Sequence, residues 1–197
     1  AADHIFMPTA VQRQIFFLAK SDYFTGRTLK GRAIAAFFRA INQIPMDRSG
    51  GRKSAASLST GGRKLAEGEL LGIYPEGTRS PDGRVYRGRT GVARIAMPTG
   101  APVMLIGMIG SGKANPIGTK IPRPVKVRIK VSEPIDPRAW AEEHGYDPDS
   151  REVMRPFTDY CMRRLAEMVG EDYVDVYASD VKKALEETGE YPEEARP

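Results

Sequence analysis

Short apolar runs alternate with helix-patterned stretches through the first half of the chain, and this alternation limits the possible folds more than any other feature. Residues 14–19 (Gln-Ile-Phe-Phe-Leu-Ala) are apolar almost without a break, as in a strand buried on both faces. In residues 29–41, Leu29, Ala33, Phe37 and Ile41 recur at i, i+4 spacing, with Lys30, Arg32 and Arg39 elsewhere, which predicts a helix. Residues 54–69 read as a further helix despite Gly61 and Gly62, residues 70–74 as a second buried strand, residues 92–97 as another helix and residues 103–109 as a third strand. Residues 44–46 are too short to assign, and residues 75–88 read as a long polar loop. The β, α, β, α, β order predicts an α/β fold: a single domain with a mainly parallel central sheet flanked by helices.

The last third is patterned differently. Residues 125–131 alternate strictly between Val or Ile and Lys or Arg, as in an edge strand with one apolar and one basic face. From Ser150 onward the chain reads as helix, with Val153, Phe157, Cys161, Leu165 and Met168 on one stripe that core packing explains most simply. The end of the chain, residues 186–197, is rich in Glu and Pro and is expected to fray.

Charge divides the sequence at nearly the same place. Residues 1–140 carry 23 basic and 9 acidic side chains, net +14, whereas residues 141–197 carry 7 and 16, net −9, so the overall +5 understates a strongly cationic body. Such a body suits an anionic partner: nucleic acid, phosphate-bearing small molecules or an anionic membrane surface. The basic residues are not interleaved with aromatics in a nucleic-acid module, so no nucleic-acid partner is expected. With 197 residues and 41% hydrophobic side chains the chain can bury a real core, which excludes a disordered segment. Its single cysteine, Cys161, excludes a disulfide mini-protein.

No apolar run approaches the roughly 18 residues of a spanning helix, and no signal-peptide pattern opens the chain. The opening Ala1-Ala2-Asp3-His4 carries no initiator Met and runs directly into apolar residues, so the chain is expected to be truncated at its N-terminus, with room for an anchor upstream.

The chemistry concentrates after the second strand. Residues 74–80 (Tyr-Pro-Glu-Gly-Thr-Arg-Ser) follow a buried strand directly, where α/β proteins place their ligand sites. Gly77 lets backbone amides approach an anion, and Arg79 offers a bidentate fork for phosphate beside Glu76 and Thr78. A surface turn with a Glu76–Arg79 ion pair is the plainer alternative. Residues 43–50 (Gln-Ile-Pro-Met-Asp-Arg-Ser-Gly) are a second apolar stretch ending in a charged turn, with Arg48 as a phosphate ligand or as part of a solvated turn before a helix. Lys20, at the end of the first strand, is a further phosphate candidate or a solvated strand end.

Together these blocks resemble the glycerolipid acyltransferase family, whose pattern runs from a His-x4-Asp motif through an Ile-Asp-Arg-type block and a Phe-Pro-Glu-Gly-Thr-Arg-Ser block to a Pro-containing apolar strand. Residues 74–80 match the third block with Tyr in place of Phe, residues 44–48 match the second, residues 101–106 resemble the fourth, and the resemblance spans roughly residues 1–135. In the first block Asp3 is the natural match, and its partner His falls five positions earlier, before residue 1. His144 and Asp149 have the same spacing but follow the sheet in a loop broken by Gly145 and Pro148, so they are expected to be a structural coincidence.

The resemblance implies a 1-acylglycerol-3-phosphate acyltransferase of phospholipid biosynthesis. A His takes the proton of the acceptor's sn-2 hydroxyl as that oxygen attacks the thioester of acyl-CoA or acyl carrier protein, giving phosphatidic acid, while Asp3 orients the imidazole. It further implies that Arg48 and Arg79 hold the acceptor phosphate, that Glu76, Gly77 and Thr78 shape the site, and that no cofactor or metal is needed. Partners are lysophosphatidic acid, the acyl donor and an anionic membrane surface, at the cytoplasmic face of the membrane. Residues 29–41 are either an interfacial helix or a core helix with a wet face. Another lysophospholipid, glycerol phosphate or a glycolipid are alternative acceptors, and a non-catalytic phospholipid-binding module is the alternative if the upstream His is absent. The expected organisation is an acyltransferase domain over residues 1–135, a helical acidic extension over 136–185 packed on it, and a tail over 186–197.

Overall fold

The computed structural model describes residues 13–20, 24, 28, 31–33, 36, 43–46, 51–114 and 123–197. They fall into two compact units, residues 10–74 and residues 75–197. The α/β expectation holds, with parallel strands and helices in both.

In the first unit, β1 (Ile15–Lys20), β2 (Gln43–Met46) and β3 (Leu70–Gly72) form a parallel sheet in the order β2-β1-β3. Phe17 and Leu18 on β1 and Ile44 on β2 are buried, as their apolar runs require. β2 and β3 run parallel on either side of β1 and need a crossover connection. The helix α1 (Gly51–Ala66) accordingly lies between β2 and β3 in sequence and packs on all three strands. Pro45, which has no N–H to give a ladder, sits on β2 at the edge of this three-stranded sheet. Gly72 is required for space: a Cβ there would run into the ring of Phe17. The unassigned residues 44–46 are thus the core of β2. Of the expected helix over 29–41, residues 31–33 and 36 are helical and the rest lie outside the described residues.

The second unit contains β4 (Val85–Tyr86), α2 (Gly91–Thr99), β5 (Ile106–Ile109), α3 (Ser111–Ala114), β6 (Arg128–Val131), α4 (Pro137–Glu143), α5 (Met154–Val169), β7 (Tyr173–Val174) and α6 (Ala178–Thr188). Its main core is built by the predicted stripe. Val153, Phe157 and Cys161 are buried against Ala93, Met97, Leu105 and Trp140, with Leu165 and Met168 at the margin. Trp140 meets Phe157 edge-on at 5.2 Å. Gly107 on β5 leaves room for Val169 of α5, which would collide with any Cβ at that position.

Three expectations change here. Residues 103–109 do not extend a parallel sheet: β5 pairs antiparallel with β6, and a bridge between Val103 and Ile135 prolongs the pairing. The alternating segment supplies that partner, but Val125 and Val131 remain exposed, so its apolar face is only partly covered. Residues 75–88 are not all loop. They include β4, which pairs in parallel with β7 and carries Tyr86, a fully buried ring. Residues 186–197 do not fray either, because Tyr191 and buried Ala195 pack with Tyr86, Val174 and Val181.

Local chemistry sets the start of α4. Asp136 accepts hydrogen bonds from the N–H groups of Arg138 (2.9 Å) and Ala139 (3.1 Å), and Pro137 stands in the first turn, where its missing N–H costs nothing. Asp136→Ala should lower the unfolding free energy by about 1 kcal/mol, and Asp136→Ser should retain most of it. Urea denaturation at neutral pH measures both; equal stability of the alanine variant would show that this cap does not matter.

Candidate functional site

In the three-stranded sheet the carboxyl ends of β1 and β2 lie side by side, with Lys20 opposite Met46. The Lys20 backbone and the first residues of the Ile-Pro-Met-Asp-Arg block therefore reach the same edge, the edge where open parallel sheets bind ligands. Asp3 and Arg48 lie outside the described residues. The chain leaves β3 through Tyr74, whose ring stacks on Phe17 with centroids 5.7 Å apart.

Residues 75–80 form a tight, partly buried turn in the second unit. Pro75 O accepts from Arg89 N at 2.8 Å, fixing the start of the turn. Gly77 has φ +69°, a left-handed conformation that side chains resist, and the Arg89 side chain lies just over it. Ser80 Oγ accepts from Gly83 N at 2.8 Å and donates to Asp82 at 3.2 Å, closing the far end. Behind the turn, Asp82 receives Arg84 Nε at 2.8 Å and the Tyr86 hydroxyl at 2.9 Å, while Arg84 also donates to Ala195 O at 2.5 Å. Burial and these two hydrogen bonds act on Asp82 in opposite senses, and the bonds prevail, holding its carboxyl below the usual range.

Glu76 is the unusual group. Burial pushes its carboxyl up to about 7, against the opposing pull of a hydrogen bond from the Tyr86 backbone and of the Lys182 charge. Among the described residues its Oε2 has no hydrogen-bond partner. Tyr86 N–H is available to Glu76 because the flanking Val85 and Arg87 N–H groups are the ones that bond β7 and its neighbours.

The second side of the turn comes from the acidic C-terminal region. Lys182 on α6 donates to Thr78 Oγ1 at 2.8 Å. Arg89 lies over the Tyr177 ring at 4.9 Å and donates to Ser179 Oγ at 3.2 Å. The structure thus brings Glu76, Thr78 and Lys182 together, with Arg79 close enough to act on the Lys182 charge. Sequence reasoning missed Lys182. The available signal was that Lys182 and Lys183 are the only basic residues between Arg164 and Arg196.

His144 and Asp149 are each engaged elsewhere. His144 stacks on Trp140 at 4.3 Å and its Nδ1 lies 2.7 Å from Trp140 O, whereas Asp149 takes the Arg138 fork at 2.8 and 3.2 Å. Cys161 is buried and its thiol is pushed up to about 12 by that burial, which makes it a packing residue and no nucleophile.

The sequence profile of the family described as Acyltransferase matches residues 1–109, more than half of the chain. The chain belongs to this acyltransferase family. A chloroplastic 1-acyl-sn-glycerol-3-phosphate acyltransferase of Brassica napus is 34% identical over 93 residues, 47% of this chain and 27% of that protein. A 1-acyl-sn-glycerol-3-phosphate acyltransferase of Bacillus subtilis is 28% identical over 156 residues, 79% of this chain and 69% of that protein. The crystal structure of the 1-acyl-sn-glycerophosphate (LPA) acyltransferase PlsC from Thermotoga maritima superposes with a TM-score of 0.59 at 26% identity, covering 85% of this chain and 62% of that one. The chain spans 27% of the Brassica protein and 38% of a Limnanthes alba relative of the same description, so it corresponds to part of such proteins. The family match includes the turn just described, and the residues that support this turn from α6 lie beyond the matched segment. No described helix is long and apolar enough to cross a membrane.

Proposed function

We propose that this chain carries a 1-acylglycerol-3-phosphate acyltransferase activity, moving a fatty acyl group from acyl-CoA or acyl carrier protein to the sn-2 hydroxyl of lysophosphatidic acid and giving phosphatidic acid. The observation that carries this reading is the fixed turn of residues 75–80, in which the left-handed Gly77 and the hydrogen-bonded Thr78 lead into exposed Arg79 beside a second cation. An exposed guanidinium on a rigid turn, with a half-buried ammonium brought to that turn by α6, recognises a phosphate monoester. Family membership and the activities for which the relatives are named support the same substrate class.

On this reading Asp3 orients a histidine five residues upstream, Arg48 and Arg79 bind the acceptor phosphate as the family pattern implies, and Lys20 is a further phosphate candidate from its place at the end of β1. Glu76 and Gly77 shape the turn. The acceptor oxygen bonds to the thioester carbon as the C–S bond breaks, and the hydroxyl proton passes through the histidine to the leaving thiolate. With Cys161 buried, the acyl group goes directly to the acceptor. The membrane contact is an anionic bilayer surface, since acceptor and product both partition into bilayers, and the side proposed for it is the cytoplasmic face.

The test is acylation by the full-length protein with a panel of acceptors and both donors, read by mass spectrometry of the lipid products. Phosphatidic acid formed from lysophosphatidic acid in preference to products from glycerol 3-phosphate, other lysophospholipids or glycolipids is the expected result. Preference for another acceptor reassigns the substrate, and absence of transfer to every acceptor removes the enzyme reading in favour of lipid binding alone.

A further inference from the structure

Helix α6 brings a cation to the turn from the far end of the sequence. Its position is set by core packing: Ala178 and Val181 are buried with Tyr86, Val174 and Ala195, and Leu185 packs against the same cluster. Lys182, the next residue after Val181, is thereby held against the turn and bonds Thr78 Oγ1 across 104 residues of sequence. That bond uses one of the three N–H groups of the ammonium and leaves two for another acceptor. Of the charges that act on Lys182, the strongest is Arg79, a like charge, ahead of the attractive Glu76 and Glu186. Lys182 is bonded to Thr78, the residue before exposed Arg79, so two like charges meet at one turn and repel each other, and a phosphate dianion between them reverses the sign of that interaction. Lys183, by contrast, points away to an exposed ion pair with Glu187 at 3.8 Å.

We infer that Lys182 is a second cation of the phosphate subsite, sharing the acceptor's phosphate monoester with Arg79 while its bond to Thr78 holds the turn in its binding conformation. This gives the acidic C-terminal region a role in acceptor recognition. The kinetic side of the inference rests on the proposed acyltransferase activity, and its binding side rests on phosphate chemistry alone.

The experiment compares Lys182→Met, Lys182→Arg and the control Lys183→Met in the full-length protein. Lys182→Met should raise the KM for lysophosphatidic acid about five- to tenfold, leave the KM for the acyl donor unchanged, and melt within a few degrees of wild type. Lys182→Arg should recover most of the loss, and Lys183→Met should behave as wild type. A wild-type acceptor KM in Lys182→Met, or equal rises in both KM values, overturns the inference, the second outcome marking a purely structural role. If the wild-type protein acylates no lysophosphatidic acid, the function reading fails and inorganic phosphate decides the matter. A phosphate-dependent rise in Tm that Lys182→Met lacks supports the subsite, and an identical response in both proteins, including none, overturns it.

Discussion

Arg79→Ala is expected to raise the KM for lysophosphatidic acid about 10- to 100-fold while leaving the KM for the acyl donor near its wild-type value. A hydrogen-bonded charge pair is worth roughly 1.5–3 kcal/mol, and each 1.4 kcal/mol is a factor of about ten. Arg79 is exposed on a turn that is braced from both sides, by Arg89 N on Pro75 O and by Gly83 N on Ser80, so its removal should cost binding without unfolding the turn. Arg79→Lys keeps the charge but loses the planar fork, and it should fall between the two. Steady-state kinetics with each substrate varied in turn makes the measurement. Kinetics of the alanine variant indistinguishable from wild type would end the assignment of this turn to the phosphate.

Glu76→Gln should stabilise the protein at pH 8 and have little effect at pH 5. Burial raises the folded-state carboxyl from 4.5 to about 7. The folded state then holds a proton that the unfolded chain releases between those values, so this contribution to stability is fully present below about 4.5 and is lost as pH rises through about 7. Above that range the wild type carries an ionised, poorly hydrated carboxylate, and the glutamine does not. At 1.36 kcal/mol per pH unit, discounted for the part of the side chain that water still reaches, the gain at pH 8 is on the order of 1–3 kcal/mol. Denaturation at pH 5 and pH 8 tests this. The same difference at both pH values would mean that Glu76 does not titrate in the folded protein over this range. A protonated Glu76 also removes a negative charge that acts on Lys182, which favours an incoming phosphate.

The strands β1 and β3 and the helices α1, α2 and α5 were legible because burial imposes its period directly on the sequence. Phe17 and Leu18 fall in a continuous run, and Phe157 and Cys161 recur every four residues. The turn of residues 75–80 was legible for a different reason: it follows a buried strand directly and matches a whole block of the family pattern, whereas its chemistry alone also suited a plain surface turn. Two-residue strands leave no period to detect. Val85 and Tyr86 therefore vanished into a polar stretch, although Tyr86 is among the most buried side chains of the protein. Composition also misled at the C-terminus, because Glu and Pro dominate residues 186–197 while a few positions, Tyr191 and Ala195, make the packing contacts. Lys182 was hidden in the same way, since net charge over a segment says nothing about which one residue its helix turns inward. For Asp3 and Arg48 the resemblance alone speaks, since they lie outside the described residues.

The parallel ladder between β4 and β7, with Arg84 bonded to Ala195 and Lys182 bonded to Thr78, also sets an order of assembly. During vectorial synthesis the turn and its local braces emerge long before the segments that pack on them, so a nascent chain ending before Ala178 has the turn but neither the full cover of Tyr86 nor α6 beside it. Closure of such a long loop is an entropically late event in folding. If the turn binds phosphate as proposed, the surface that supports it is complete only once residues up to Ala195 have been made.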